Sequence, residues 1–447
     1  MNRSEKRRIP PESGEEKKGI GSDFDLAIVG GRVIDPESKM DRIADVFVRD
    51  GVVQRIAKPN GKVWAKEVIN AKGMIVVPGL IDMHTHLREP GREDEETIFT
   101  GSCAAVAGGF TSICCMPNTE PPIDNQETVR FVYQKAKEAK CRIHCVGCVT
   151  KGQKGEELTE INDLVQAGVI AISDDGKPVS NPQVMRNALE YSRMFDLPVI
   201  SHCEDLGLSA GGVMHEGFIS TSLGMCGTPS IAEEIMVARD LKLAEFTKAR
   251  LHLAHVSTEG SVELIRQAKK KGVKVTCEAA PHHFTLTDET IKTFDTSAKV
   301  NPPLRTRKDV EAIKRGLADG TIDCIATDHA PHSVEEKEVE FDFAPCGMVG
   351  LETALGLIVT ELINQKILSW PQAVAKLTIN PARILNLQAG RIRKNSVADI
   401  TVIDPKATWV VDPAKFHSKS KNSPFRGRRL QGKALYTIVG GRVACGT

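Results

Sequence analysis

The segment Val76–Gly91, VVPGLIDMHTHLREPG, runs a short apolar stretch straight into a cluster of polar groups. Val76 to Ile81 reads as a buried strand, ending in Asp82, His84 and His86. In an extended chain, side chains two residues apart point to the same side, so both imidazoles would face one point. Two neutral imidazole nitrogens converging at a strand end suit a divalent metal. Taken alone, a His-x-His pair is more often satisfied within a polar loop. The metal reading therefore depends on whether later strand ends supply the remaining ligands.

Downstream, short apolar runs alternate with stretches of helical periodicity, such as Glu96–Ala107, Asn125–Ala139, Pro182–Met194, Ala232–Ala249 and Ser261–Lys271. Candidate strands lie near Leu80, Thr111–Met116, Arg142–Val149, Val169–Ser173, Pro198–His202, Arg250–His255, Val273–Ala279 and Asp323–Thr327. Strand–helix alternation implies βαβ units and a parallel sheet. Eight such strands predict an α/β fold, a (β/α)8 TIM-type barrel over residues 81–393. A doubly wound sheet is the competitor, but its GxGxxG turn is absent.

Both ends of the chain read differently. DLAIVGGRVID predicts a hairpin around Gly30-Gly31, and DVFVRDGVVQRIA another around Asp50-Gly51. ADITVIDP and ALYTIVGGRVACG repeat the device near the C-terminus, and the hexapeptide IVGGRV occurs at Ile28–Val33 and again at Ile438–Val443. Chance recurrence of a favourable hairpin sequence accounts for the repeat equally well. Residues 24–80 and 394–447 are expected to pair into one small β-sandwich, with residues 1–23 a flexible charged tail.

A net charge of +1 leaves no electrostatic footprint for nucleic acid or an anionic membrane. No apolar run reaches the roughly 18 residues of a membrane span, and the first residues lack the apolar centre of a signal peptide. A cytoplasmic protein is expected. The 12 cysteines are scattered through apolar segments, where a reduced thiol packs as a small hydrophobe. Cys145 and Cys148 form a CxxC, but it lies in the strand-like RIHCVGCV with no helix start to activate a thiol, so it reads as structural.

In a barrel of this kind the chemistry sits at the C-terminal ends of the strands. The first ends in His84 and His86, the fourth in Asp174 and Asp175, the fifth in His202, the sixth in His255 and the eighth in Asp328. Four imidazoles and two carboxylates at one mouth suit two Zn²⁺ ions with one carboxylate bridging. Paired ions roughly 3.5–4 Å apart can share a hydroxide whose pKa is lowered toward neutrality, a nucleophile for amide hydrolysis. No GxSxG elbow competes with it. Strand parity leaves Asp174 and Asp175 both open as the bridge.

The ligand pattern resembles the amidohydrolase superfamily. Within it, the blocks DMHTHLREPG, MPNTEPP, SDDG, HCED, HVST, PHH, NPPLR and ATDHAPH look like the type I dihydroorotases, over residues 25–445. The resemblance implies that His84, His86 and Asp328 hold one zinc and His202 and His255 the other. It selects Asp175 as the bridge, where hydantoinases and type II enzymes carry a carboxylated lysine. Arg88, Asn118 and His332 would bind the substrate carboxylate, which suits the planar fork of an arginine. His86, Asn301 and the backbone around Cys346-Gly347 would also face the substrate, the latter pair on a loop expected to move. Arg88 could instead pair with Glu89 or Glu93 on the surface.

The implied activity is reversible cyclisation of N-carbamoyl-L-aspartate to L-dihydroorotate, in pyrimidine synthesis, with a zinc-bridged hydroxide as nucleophile and Asp328 as acid and base. Two Zn²⁺ per subunit, a homodimer and an association with aspartate transcarbamoylase come with the resemblance. The alternatives are an allantoinase or hydantoinase, and a non-catalytic scaffold partner of aspartate transcarbamoylase. Intact ligand positions argue against the scaffold.

Overall fold

The computed structural model describes residues 24–59 and 64–446. The expected N-terminal tail lies outside the described residues. The chain opens with five strands, β1 (Phe24–Asp35), β2 (Met40–Arg49), β3 (Val52–Ala57), β4 (Ala65–Asn70) and β5 (Ile75–Pro78). It then alternates strand and helix through β6 (Leu80–Thr85), β7 (Phe110–Cys115), β8 (Arg142–Gly147), β9 (Ala171–Ser173) and β10 (Val199–Ser201). A two-stranded excursion, β11 (Met214–His215) with β12 (Gly227–Thr228), precedes β13 (Leu251–Leu253), β14 (Val275–Ala279) and β15 (Cys324–Ile325). The chain returns to β structure with β16 (Ile400–Val410), β17 (Arg429–Val439) and β18 (Arg442–Gly446).

Strands β6 to β10 and β13 to β15 pair in sequence order, all parallel, which is the predicted barrel. Its ends meet just beyond the last strand. Thr85 bridges His329 in parallel, and His86 N donates to His329 O at 2.8 Å. The segment that carries the two histidines therefore also closes the barrel. Helices begin where the sequence offers caps: Thr97 accepts from Thr100 N ahead of Ile98–Gly108, and Asn181 accepts from Gln183 N ahead of Pro182–Ser192.

Strands from both termini form one continuous sheet in the order β18-β17-β16-β5-β1-β2-β3, with β4 against β1. It encloses its own core, including Ile28, Val46, Val76, Ile400 and Ile438. The hairpin expected at Gly30-Gly31 is not there. Phe24–Asp35 is one strand along β2, interrupted by a bulge between Ile28 and Gly31, with Gly30 N donating to Asp45 Oδ1 at 2.8 Å. The second IVGGRV does turn, between β17 and β18. The hairpin at Asp50-Gly51, between β2 and β3, forms as predicted.

Candidate metal centre

Buried polar groups converge at the C-terminal end of the barrel. Asp175 lies between two imidazole pairs, one on each carboxylate oxygen. Its Oδ2 is 3.2 Å from His84 Nε2 and 3.5 Å from His86 Nε2; its Oδ1 is 3.2 Å from His255 Nε2 and 3.5 Å from His202 Nδ1. Asp328 Oδ1 lies 3.3 Å from His86 Nε2 and 3.7 Å from His84 Nε2. Three of these positions use unusual backbone. Arg88 (φ 61°), His255 (φ 30°) and Asp328 (φ 50°) are left-handed without being glycine, an arrangement enriched at functional sites.

Neighbouring acceptors fix which imidazole nitrogen is free. His84 Nδ1 donates to Glu278 Oε1 at 2.6 Å, and His86 Nδ1 to Asn118 Oδ1 at 2.7 Å, leaving both Nε2 atoms as lone-pair donors toward Asp175. His202 Nε2 donates to Glu204 Oε2 at 3.0 Å and leaves Nδ1 free. Asp174, by contrast, turns away and accepts from Val149 N at 2.8 Å, Thr150 N at 3.1 Å and the Thr150 hydroxyl.

The electrostatics suit a bound cation. Burial opposes charge throughout, yet the imidazoles of His84, His202 and His255 hold the Asp175 carboxyl well below its usual range. In the same way Asp175 and Glu278 overcome desolvation and raise His84 well above an ordinary imidazole, and Asp175 and Glu204 lift His202 to about 10. His202 Nδ1 and His255 Nε2 stand 3.0 Å apart, a separation that two lone pairs tolerate only with a proton or a cation between them. His84, Asp175 and His255 offer donor atoms within 4.8 Å of one another, as do His84, His86 and Asp328. The donor set is one that divalent metals take.

A cavity of about 240 Å³ opens beside this cluster. It is lined by His86, Asp175, His202 and Asp328, and by every residue the sequence nominates for substrate: Arg88, Asn118, Asn301, His332, Cys346 and Gly347. Gln153, Gly176, Lys177 and Ala330 complete the wall. Arg88 donates from Nε to Pro331 O at 3.1 Å, and its Nη2 is 3.3 Å from His332 Nε2. Asn118 spends its oxygen on His86 and keeps its amide N–H groups. Asn301 Nδ2 donates to Glu204 Oε2 at 2.8 Å. The loop carrying Cys346 and Gly347 is pinned from below. Lys299 Nζ donates to Phe341 O and Asp342 O, each at 2.9 Å, and Lys337 Nζ to Thr296 O at 3.0 Å and Pro345 O at 2.6 Å.

Sequence reasoning missed Glu278, Glu204 and Glu95. The first two hold His84 and His202 of the cluster, and Glu278 also reaches His252 Nε2 at 3.2 Å. An isolated acid within the otherwise apolar VTCEAA of β14 was the available signal. His329 bridges Glu96 at 3.3 Å and accepts from Gly350 N at 3.1 Å. Burial pushes the thiols of Cys145 and Cys148 well above their usual range, as the structural reading of the CxxC expects.

The amidohydrolase family profile matches residues 75–444. A protein named dihydroorotase from Pelotomaculum thermopropionicum is 57% identical over 94% of this chain and 98% of its own length. Another so named, from Acetivibrio thermocellus, is 55% identical over 94% and 98%. Among solved structures, an L-hydantoinase (dihydropyrimidinase) from Arthrobacter aurescens superposes with a TM-score of 0.85 at 26% identity, covering 95% of this chain and 96% of that one. A dihydropyrimidinase from Brevibacillus agri gives 0.82 at 23% identity over 94% and 95%, a likeness of fold.

Proposed function

The chain belongs to the amidohydrolase family and, within it, to the dihydroorotases, and we propose that it interconverts N-carbamoyl-L-aspartate and L-dihydroorotate at a two-zinc centre held by His84, His86, Asp175, His202, His255 and Asp328. The observation that carries this reading is the wall of the cavity that Asp175 also lines. Arg88, Asn118 and His332 gather there, a set suited to a carboxylate on the ring rather than to a neutral cyclic amide. That feature separates a dihydroorotase from a hydantoinase sharing the same barrel. Asp175 in the bridging position, with no lysine, points the same way toward the type I class.

When bound, the paired ions would supply a water of lowered pKa and polarise the ring carbonyl. The remaining work falls to side chains. Arg88, Asn118 and His332 fix the substrate carboxylate, which orients the scissile amide over Asp175 and Asp328. Asn301 and the backbone of Cys346 and Gly347 meet the ring amides. Asp328, whose carboxyl the neighbouring imidazoles hold below its usual range despite burial, is ionised and free to take a proton. In hydrolysis the water oxygen joins the carbonyl carbon and its proton passes to Asp328. The ring C–N bond then breaks as Asp328 returns that proton to the departing nitrogen. Cyclisation runs the same steps backwards.

The direct test is an assay of dihydroorotate hydrolysis and carbamoyl-aspartate cyclisation, with metal content determined on the same sample. Activity should disappear with a chelator and return with zinc. Asp328→Asn should lower kcat by 10³-fold or more, roughly the loss of a proton carrier, while retaining most of the metal. Turnover by Asp328→Asn near the wild-type rate would remove Asp328 from the mechanism. The proposal also carries a homodimer and an association with aspartate transcarbamoylase, both testable by sedimentation of the chain alone and mixed with that enzyme.

A further inference from the structure

The residues that face the substrate carboxylate are themselves held from behind. Glu95 Oε1 accepts from His332 Nδ1 at 2.7 Å, and Glu95 Oε2 lies 3.0 Å from Arg88 Nε. The carboxylate is 1% exposed and does not line the cavity. Arg92 Nη2 completes the arrangement, 3.3 Å from Glu95 Oε1 and 2.5 Å from Glu336 Oε1. The backbone of Glu95 is fixed as well: its N–H donates to Arg92 O at 3.1 Å, and its carbonyl accepts from Ser420 Oγ at 2.7 Å. The acids that the sequence offered to Arg88 are engaged elsewhere. Glu89 accepts from Ile98 N at 2.9 Å and pairs with Lys135 at 3.0 Å, and Glu93 accepts from Gly91 N at 3.0 Å.

We propose that Glu95 is a positioning residue that sets the selectivity of this cavity for a ring bearing a carboxylate. One buried acid pairs with Arg88 at Nε, beside the hydrogen bond that Nε donates to Pro331 O, and accepts from His332 Nδ1, so Arg88 Nη2 is set 3.3 Å from His332 Nε2, itself 2.9 Å from Cys346 O, where both side chains line the cavity. A long arginine left unanchored would have to give up rotamer freedom each time substrate bound. With its inner edge fixed, the planar fork is presented ready for a bidentate partner. Glu95 also leaves no guanidinium charge uncompensated in a buried place, while Arg92 takes the remaining capacity of Oε1. The acid acts on orientation and stands apart from the reacting bond, so its loss should appear in substrate binding rather than in chemistry.

This inference rests on the dihydroorotase reading. The test measures kcat, KM, zinc content and melting temperature for the wild type, E95Q, E95D, R88A and R88A/E95Q with dihydroorotate. E95Q should raise KM at least tenfold with kcat within about threefold and zinc content unchanged, and E95D should fall between E95Q and the wild type. In the R88A background, E95Q should change kcat/KM by less than twofold. Should E95Q fail to fold, E95D carries the test, with a raised KM at an undisturbed kcat. An unmoved KM, a parallel loss of kcat and zinc, or independent multiplication of the R88A and E95Q effects would overturn the role of Glu95 while leaving the activity in place. Wild-type enzyme inert on dihydroorotate but active on dihydrouracil, which lacks the carboxylate, would overturn the dihydroorotase reading and this assignment with it.

Discussion

Asp174 and Asp175 are adjacent in sequence and have opposite surroundings. Asp175 offers one oxygen to His84 and His86 and the other to His202 and His255. Asp174 anchors the turn at Val149 and Thr150, where burial raises its carboxyl to about 6. Asp175→Asn should therefore lose zinc and activity together. Asp174→Asn should keep its zinc and lose about 1–3 kcal/mol of stability, the cost of disturbing a buried hydrogen-bonded acid. Metal analysis beside urea denaturation separates the two, and zinc loss in Asp174→Asn would reverse the assignment. Spacing made His84, His86, His202, His255 and Asp328 legible, because each ends an apolar run. The choice between two neighbouring acids was not, since it turns on one residue of strand parity.

At the scale of elements, the same six residues adopt two structures. At Ile438–Val443 the glycines take φ 55° and 79°, the left-handed pair of a tight hairpin, and β18 folds back on β17. At Ile28–Val33 only Gly30 has positive φ, and the chain runs on as a bulged strand. Gly31 is there for closeness: a Cβ would sit 2.5 Å from Val76 Cγ2 in β5. Local sequence licensed a hairpin twice, and long-range pairing of β1 with β2 and β5 decided otherwise once. The loop at Cys346 and Gly347, expected to move, is reached by Lys299 and Lys337, which donate to the carbonyls of Phe341, Asp342 and Pro345. Burial lowers the Lys337 ammonium to about 8, while its hydrogen bonds to two carbonyls remain. Lys337→Met should free that segment and raise KM for dihydroorotate severalfold with zinc content unchanged. An unaltered KM would show that the loop is held by other contacts.

At the scale of the whole molecule, the barrel brings side chains from positions as far apart as His84 and Asp328 around one point, and the terminal sheet joins both ends of the chain beside it. The fold also makes the molecule sensitive to acid away from the metal. Burial lowers His144 and His215 to about 4, from 6.5 for an exposed imidazole. Both stay neutral in the fold, while the unfolded chain takes up their protons below pH 6.5. The unfolded state thus binds more protons between pH 6.5 and about 4, so stability falls as pH drops through that window and the penalty is complete below it. Each histidine contributes on the order of a few kcal/mol at most. His144→Gln should flatten the dependence of the urea midpoint on pH between 6.5 and 4 relative to wild type. Parallel curves would exclude His144 as a source.

Sequence alone determined the barrel and its eight strands, and nominated five of the six proposed ligand positions, because short apolar runs, helical periodicity between them and polar residues at strand ends are local properties of the chain. It also nominated the proposed substrate residues, through motif blocks rather than through geometry. Tertiary structure decided which oxygen of Asp175 faces which histidine pair, which nitrogen each imidazole leaves free, and which acid lies behind Arg88. Those depend on Glu278 and Glu95, whose partners His84 and His332 are distant in sequence, and on Glu204, which meets His202 two residues away only once the chain turns at the end of β10. No periodicity reports such contacts. The opening segment Val76–Gly91 carries both kinds of information: its histidines announce the centre by spacing, and only the folded chain shows that their strand also closes the barrel at His329.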